Sequence, residues 1–146
     1  MIVDANAWHK FLAIANADAK PVRQWLDRQG GKIAYSEETF QEVPTSAQRQ
    51  LRAYKQAGKA RLVQPEEITG YINKSGKYAR QRETAKSNDL PILDLAACIA
   101  KGRGRDCVAL WTEDDDLVAD FKSMKLGRVY AGKQHKKYVL GQTKCA

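Results

Sequence analysis

Short apolar runs that alternate with longer amphipathic stretches constrain the fold of this chain more than any other feature. The runs cover residues 1–3, 33–35, 107–111 and 129–130, with a possible edge strand at 61–63. Apolar runs of this length, separated by helical patterns, are typical of strands that are buried on both faces of a parallel sheet. The alternation predicts an α/β fold, a three-layer α/β/α sandwich with a central parallel sheet of four or five strands.

The chain has 146 residues, of which 43% are hydrophobic, enough for one domain with a core and too few for two. We assign residues 1–132 to this domain and residues 133–146 to a basic C-terminal tail. The three cysteines form no C-x-x-C pair and are expected to be reduced thiols. The first residues lack the pattern of a signal peptide, and no apolar stretch is long enough to cross a bilayer. These features predict a cytoplasmic protein without membrane association.

The net charge of +8 favours a polyanionic partner, because Lys and Arg release counterions when they bind phosphates. The alternative is a basic surface that only keeps the protein in solution. Residues 73–86 concentrate this charge, with five cations and a single acid. We assign nucleic-acid binding to those five cations, with a solvated loop as the alternative: Lys74, Lys77, Arg80, Arg82 and Lys86.

Carboxylates occur at the carboxyl ends of the predicted strands, where open parallel sheets bind ligands. Asp4 directly follows the first strand, and Asp114 and Asp116 follow the strand at 107–111. Other acids lie in or before helices that we expect to pack beside these strands. Converging carboxylates repel one another unless cations lie between them, and oxygen ligands without Cys or His select Mg²⁺ or Mn²⁺. Each acid taken singly could instead cap a helix or be solvated.

Four short motifs carry these acids. Residues 2–6 form a strand ending in Asp with Asn two positions later, and residues 36–42 place a small polar residue six positions before Glu. Residues 87–96 place an Asp before an apolar helix, and residues 112–117 read T-x-D-x-D-L. In this order, over residues 1 to about 130, the motifs resemble the PIN-domain nuclease family in its small stand-alone, toxin-like prokaryotic form.

The resemblance implies a Mg²⁺- or Mn²⁺-dependent endoribonuclease that hydrolyses phosphodiester bonds. It assigns catalysis and metal binding to Asp4, Glu42, Asp89 and Asp114, with Asp116 as a fifth metal ligand. Three polar side chains are expected to orient these carboxylates or water: Asn6, Asn88 and Thr112. Small members of the family are often toxins, so the expected partners are RNA, an antitoxin protein and a second copy of the chain.

The third motif departs from the related sequences at two places. Leu90 and Pro91 stand where a Pro-His pair is usual, and Asp94 stands at a position that is usually apolar. Asp94 is five residues after Asp89, a step that turns a helical side chain by roughly 140°. We therefore expect Asp94 to orient a metal ligand or to have a structural role, and not to bind the metal itself.

Two alternatives to RNA cleavage remain open: a PIN-like module that binds RNA or a protein partner without cutting, and a nuclease directed at DNA. Other α/β enzyme classes fit less well. A D-x-D-x-T phosphatase motif would need other residues at Asn6 and Trp8, and Gly70 and Gly76 are too far apart for a phosphate loop.

Overall fold

Five short strands and seven α-helices make up the part of the chain that the computed structural model describes, residues 1–68 and 89–131. The strands are β1 (Ile2–Val3), β2 (Ile33–Tyr35), β3 (Ala60–Leu62), β4 (Ala109–Trp111) and β5 (Arg128–Ala131). The helices are α1 (Trp8–Leu12), α2 (Ala19–Arg28), α3 (Glu37–Glu42), α4 (Thr45–Gln56), α5 (Pro65–Ile68), α6 (Leu90–Arg103) and α7 (Asp115–Ser123). The prediction of an α/β fold is confirmed.

The strands pair in parallel throughout this part of the molecule. They form a three-stranded sheet in the order β1-β4-β5 and a two-stranded sheet, β2-β3. A further backbone hydrogen bond of 2.8 Å, from Ala34 N to Met1 O, joins β2 to the start of β1. Parallel strands end at the same edge, so the residues that follow β1 and β4 lie along one edge, which we call the carboxyl edge. Met1 N also donates to Lys32 O at 2.7 Å, and this bond together with the one from Ala34 N has the pattern of a parallel pair, which places the end of β2 at the same edge.

Side chains that alternate along the strands divide the core into two apolar clusters. Ile2 belongs to one cluster and Val3 to the other, and Leu110 and Trp111 divide in the same way. Because successive residues of a strand point to opposite faces, the clusters lie on opposite faces of the β1-β4-β5 sheet. Helices α1, α2 and α4 complete the cluster on the Val3 side, and α6 and α7 complete the other.

Helix α3 begins at the capping signal that the sequence carries. Ser36 Oγ accepts a hydrogen bond from Thr39 N at 3.2 Å, and Thr39 Oγ1 accepts one from Ser36 N at 2.9 Å. This reciprocal pair satisfies two backbone donors at the helix start. Since Ser36 directly follows β2, the cap places the first turn of α3 at the carboxyl edge.

Two short 3-10 turns lie next to the regular elements. One turn, Ala5–Ala7, lies between β1 and α1, and the other, Arg105–Cys107, shortens the predicted strand at 107–111. The first turn is closed by a hydrogen bond from Ala7 N to Asp4 O. Apolar spacing carries no information about such local bonds.

The expectations about the cysteines, the membrane and the basic segments can also be compared with the structure. Cys98 is a free thiol but Cys107 is disulfide-bonded, so the expectation that all the cysteines are reduced is wrong. No helix within the described ranges is long and apolar enough to cross a membrane. The basic segment at 73–86 and the tail at 133–146 lie outside the described residues.

Candidate active site

Asp4 and Thr112 lie side by side because they extend two neighbouring strands. β1 pairs with β4, and the Asp4 N–H donates to Trp111 O at 2.9 Å, which continues the ladder one residue beyond β1. Thr112 is the next residue after β4 and is completely buried. The sheet therefore brings together two positions that are 108 residues apart in the chain.

Both oxygens of the Asp4 carboxylate are held by hydrogen bonds. Oδ1 accepts from Ala5 N at 2.8 Å, and Oδ2 accepts from the Thr112 hydroxyl at 2.7 Å. The Thr112 oxygen in turn accepts from Asp114 N at 3.0 Å. One buried hydroxyl thus connects the Asp4 side chain with the backbone that carries Asp114.

Asn6 fixes the loop after β4 from the other side. Its Oδ1 accepts from Glu113 N at 3.0 Å and lies 3.4 Å from Thr112 Oγ1. The amide therefore ties the residues just beyond β1 to the residues just beyond β4. This arrangement leaves Asp4 and Asp114 with little freedom to move apart.

Asp114 also has the capping role that the sequence left open. Its Oδ1 accepts from Asp116 N at 2.9 Å and from Leu117 N at 3.3 Å, which satisfies two backbone donors at the start of α7. Both bonds end on the same oxygen. A capping role for one oxygen is compatible with a metal-binding role for the other.

Negative charge is crowded around the start of α7. Burial raises the pKa of Asp4, and the neighbouring charge of Asp114 adds to the rise, while the hydrogen bonds from Thr112 and Ala5 lower it. Burial also raises the pKa of Asp120, with further contributions from Asp116 and Asp114. Neighbouring carboxylates of like charge form an environment that favours a bound cation.

Asp120 was missed by the sequence analysis. It follows Asp116 by four residues on α7, a spacing that places two side chains on the same side of a helix. That spacing was a usable signal, although the T-x-D-x-D-L motif ends before Asp120. Among the described residues, Asp120 joins the electrostatic group that contains Asp114 and Asp116.

Glu42 and Asp89 lie at two other elements, α3 and the start of α6. Glu42 is the last residue of α3 and is exposed, whereas Asp89 immediately precedes α6 and is only 3% exposed. Helices α3 and α6 contact each other. Nevertheless, within residues 1–68 and 89–131, no three Asp, Glu, His or Cys side chains are placed as a group that could hold a metal ion.

Other residues named from the sequence lie outside the described residues or on α6. Asn88 and the five cations assigned to nucleic-acid binding lie outside the described residues. Asp94 is half-buried on α6. An ion pair that was not predicted, between Lys10 Nζ and Glu113 Oε1 at 3.0 Å, places a cation beside the loop that carries Asp114.

Comparisons with known proteins give one weak likeness. No protein-family model and no solved structure matches the chain. It is similar to the isoleucine–tRNA ligases of two strains of Neisseria gonorrhoeae, with 29% identity over 128 residues. The similar region covers 82% of this chain, but the chain spans only 13% of the length of either ligase.

Proposed function

We propose that this protein is a Mg²⁺- or Mn²⁺-dependent endoribonuclease of the PIN kind, with its active site at the carboxyl edge. The observation that carries the proposal is the linked arrangement of Asp4, Thr112 and Asp114. Two neighbouring carboxylates, of which Asp4 has a pKa raised by burial and by the charge of Asp114, are held beside a buried hydroxyl at the ends of adjacent parallel strands. A carboxyl group with a raised pKa at such an edge is typical of functional sites.

The proposal includes the complete three-layer α/β/α sandwich, with all five strands in one sheet. Two observations support it: the hydrogen bond from Ala34 N to Met1 O between β2 and β1, and the apolar clusters on both faces of the β1-β4-β5 sheet. In this arrangement Asp4, Ser36 and Thr112 follow three neighbouring strands.

The donor set at the edge fits a hard divalent cation. Mg²⁺ keeps several waters and is often held by one or two carboxylates together with substrate phosphates, so it does not require three preformed protein ligands. Asp4 and Asp114 supply two carboxylates, and Asp116, Glu42 and Asp89 are the further proposed ligands. The ion, when bound, would lower the pKa of a water and offset charge on the phosphate.

Two side chains of the protein hold the proposed ligands in position. Thr112 holds one Asp4 oxygen in place, and Asn6 keeps the loop after β4 close to β1. Hydrolysis adds water across the phosphodiester bond, and the expected products are a 5′-phosphate and a 3′-hydroxyl. No covalent enzyme intermediate is required. The expected antitoxin partner, homodimer and cytoplasmic location rest on the family resemblance.

The decisive experiment compares three variants in RNA cleavage. Asp4→Asn and Asp114→Asn should each abolish Mn²⁺-dependent cleavage, because each replaces a carboxylate ligand by a neutral amide. Asp115→Asn is the matched control: it removes the same charge at an exposed position, the first residue of α7. Cleavage of mixed RNAs with and without Mn²⁺, followed by end-group analysis, gives the readout. Full activity in Asp4→Asn would refute the proposal.

A fold control accompanies these variants. The folded state disfavours the ionised form of Asp4, since burial raises its pKa above the ordinary value of 3.8. Asp4→Asn removes this penalty but sets an amide NH2 against one of the two donors, Ala5 N or the Thr112 hydroxyl, so the two effects oppose each other and the melting temperature at pH 7 should stay close to that of the wild type. A melting temperature well below that of the wild type would mean that lost activity reflects lost structure.

A second candidate function is RNA binding without cleavage. It is favoured by the absence of a three-ligand group among the described residues and by the likeness to ligases whose name includes tRNA. Total tRNA is therefore included among the test RNAs. Binding without any metal-dependent product would support this candidate, and faster cleavage of single-stranded DNA of the same sequence would support a DNA-directed nuclease.

A further inference from the structure

Helix α4 presents a row of cations to solvent. Arg49, Arg52 and Lys55 are exposed and follow one another at intervals of three residues, so neighbouring members lie on one side of the helix. We call these three residues the cationic stripe. Ala47 and Leu51 of the same helix are buried in the core. The helix contains no Asp or Glu, so its surface charge has one sign.

The charges of the cationic stripe have no ion-pair partner among the acids that the structure describes. Within residues 1–68 and 89–131, no carboxylate forms an ion pair with any member of the stripe. Four other cations in these ranges do have such partners: Lys10, Lys59, Arg61 and Arg128. Ordinary protein surfaces intersperse the two signs, so an unpaired row of cations favours an anionic ligand.

The cationic stripe approaches the carboxyl edge at Arg52. The Arg52 guanidinium lies over the Phe40 ring, 5.2 Å from its centroid, and the Phe40 ring lies 5.9 Å from that of Tyr35, the last residue of β2. Burial raises the pKa of Tyr35, and the charge of Arg52 opposes the rise, which reports the same proximity. Gln48 Nε2 donates to Phe40 O at 3.0 Å and fixes α4 against α3.

The direction of α4 orients the stripe. The helix begins at Thr45, three residues after Glu42, and ends near Lys59, whose carbonyl accepts from Ile33 N at the start of β2. The stripe therefore runs from the carboxyl edge toward the opposite edge of the sheet. With a rise of 1.5 Å per residue, Arg49 and Lys55 are separated by about 9 Å along the helix.

We propose that the cationic stripe binds the phosphate backbone of RNA and guides it to the carboxyl edge. This inference rests on the proposed function only in taking RNA as the ligand. Cations in a row contact successive phosphates without reading the bases, and such contacts set the position of the strand. Stacking on Phe40 orients the Arg52 guanidinium before RNA arrives, which reduces the entropy lost on binding.

The test measures RNA binding by fluorescence anisotropy in EDTA, with a labelled single-stranded RNA at several salt concentrations. One variant replaces all three residues of the stripe by Gln, which has nearly the same helix propensity as Arg and Lys. The control variant removes three exposed charges that precede strands at the opposite edge of the sheet. Its substitutions are Arg28→Gln, Lys32→Gln and Lys125→Gln.

The stripe variant should lose about 10- to 100-fold in affinity near 0.1 M salt, and the slope of log K against log salt should fall by about 2. The control variant should bind nearly as the wild type does. Equal losses in both variants, unchanged affinity in the stripe variant, or no RNA binding by the wild type would each overturn the inference. If the triple variant melts early, the single change Arg49→Gln keeps the comparison valid, with about one third of the slope change expected.

The outcome is separable from that of the nuclease proposal, because binding is measured without metal. An RNA that depends on the stripe for binding but is never cleaved in Mn²⁺ would support the stripe and refute the nuclease. If the stripe variant binds RNA with unchanged affinity and cleaves it unchanged in Mn²⁺, the result would support the nuclease and refute the role of the stripe.

Discussion

At the scale of single residues, Thr112 is the group on which the geometry of the site depends most. Its hydroxyl donates to Asp4 and accepts from the backbone of Asp114, so one buried oxygen fixes both carboxylate positions. The same hydrogen bond lowers the pKa of Asp4 against the effects of burial and of Asp114. Thr112 therefore keeps Asp4 more readily ionised than its surroundings alone would allow.

Thr112→Val should destabilise the protein by about 1–3 kcal/mol at neutral pH, because it leaves the Asp4 carboxylate and the Asp114 N–H without their buried partner. It should also raise the pKa of Asp4 further. The folded state would then disfavour ionised Asp4 more strongly, so the stability deficit should grow as pH rises from 3 to 7. Urea unfolding across that pH range measures the deficit.

Thr112→Ser is the control for this prediction, since it keeps the hydroxyl and loses only a methyl group. The loss of stability in Thr112→Ser should depend little on pH. If the Val and Ser variants showed the same pH dependence, the hydroxyl would not be what sets the ionisation of Asp4.

At the scale of elements, the turn into β5 depends on a close approach of two backbones. Gly127 has φ of +156°, and a Cβ placed there would lie 2.4 Å from Val108 O. The same carbonyl accepts from Arg128 N at 2.9 Å as β5 begins beside β4. A side chain at residue 127 would push the start of β5 away from its partner.

Gly127→Ala should therefore destabilise the protein by about 2 kcal/mol or more, through unfavourable φ and a contact with backbone that cannot move aside. Gly102→Ala is the matched control, because it lies in α6 with open space around the added Cβ. That control should stabilise by about 0.5–1 kcal/mol through helix propensity. Denaturant unfolding measures both variants. Equal shifts of the two denaturation midpoints would show that the contact with Val108 O does not determine the effect of Gly127→Ala.

The elements also show how far the sequence alone could predict the structure. Strands β1, β2, β4 and β5 were located because their apolar runs are short and their flanks are helical. The rule that parallel strands end at one edge predicted that Asp4 and the acids after β4 lie at the same edge, whereas an orienting role for Thr112 was implied only by the family resemblance. By contrast, the interaction of Asp120 with Asp114 depends on how α7 is turned about its axis, and the position of Arg52 over Phe40 depends on the angle between α3 and α4. Neither angle is contained in apolar spacing.

At the scale of the whole molecule, one polar contact between distant parts of the chain lies beside the core. The Tyr130 hydroxyl donates to Asp18 O at 2.6 Å, which connects β5 to the start of α2. The Tyr130 ring is 1% exposed and packs edge to face on Trp111, with ring centroids 5.6 Å apart. This contact holds the last strand of the β1-β4-β5 sheet against the helices on the Val3 side.

Burial raises the pKa of Tyr130 from 10.0 to about 12, with a smaller contribution from Asp18. A phenol with a raised pKa stabilises the folded state below its ordinary pKa, and this contribution is lost as pH rises from about 10 to about 12. The wild type should therefore lose on the order of 2 kcal/mol from this group across that window.

Tyr130→Phe should be about 1 kcal/mol less stable at pH 7, where it lacks the hydrogen bond, but should lose less on going to pH 12. Unfolding measured at pH 7, 10 and 12 tests both parts, because the other tyrosines titrate alike in the two proteins. Parallel losses in wild type and variant would show that the Tyr130 hydroxyl does not limit alkaline stability.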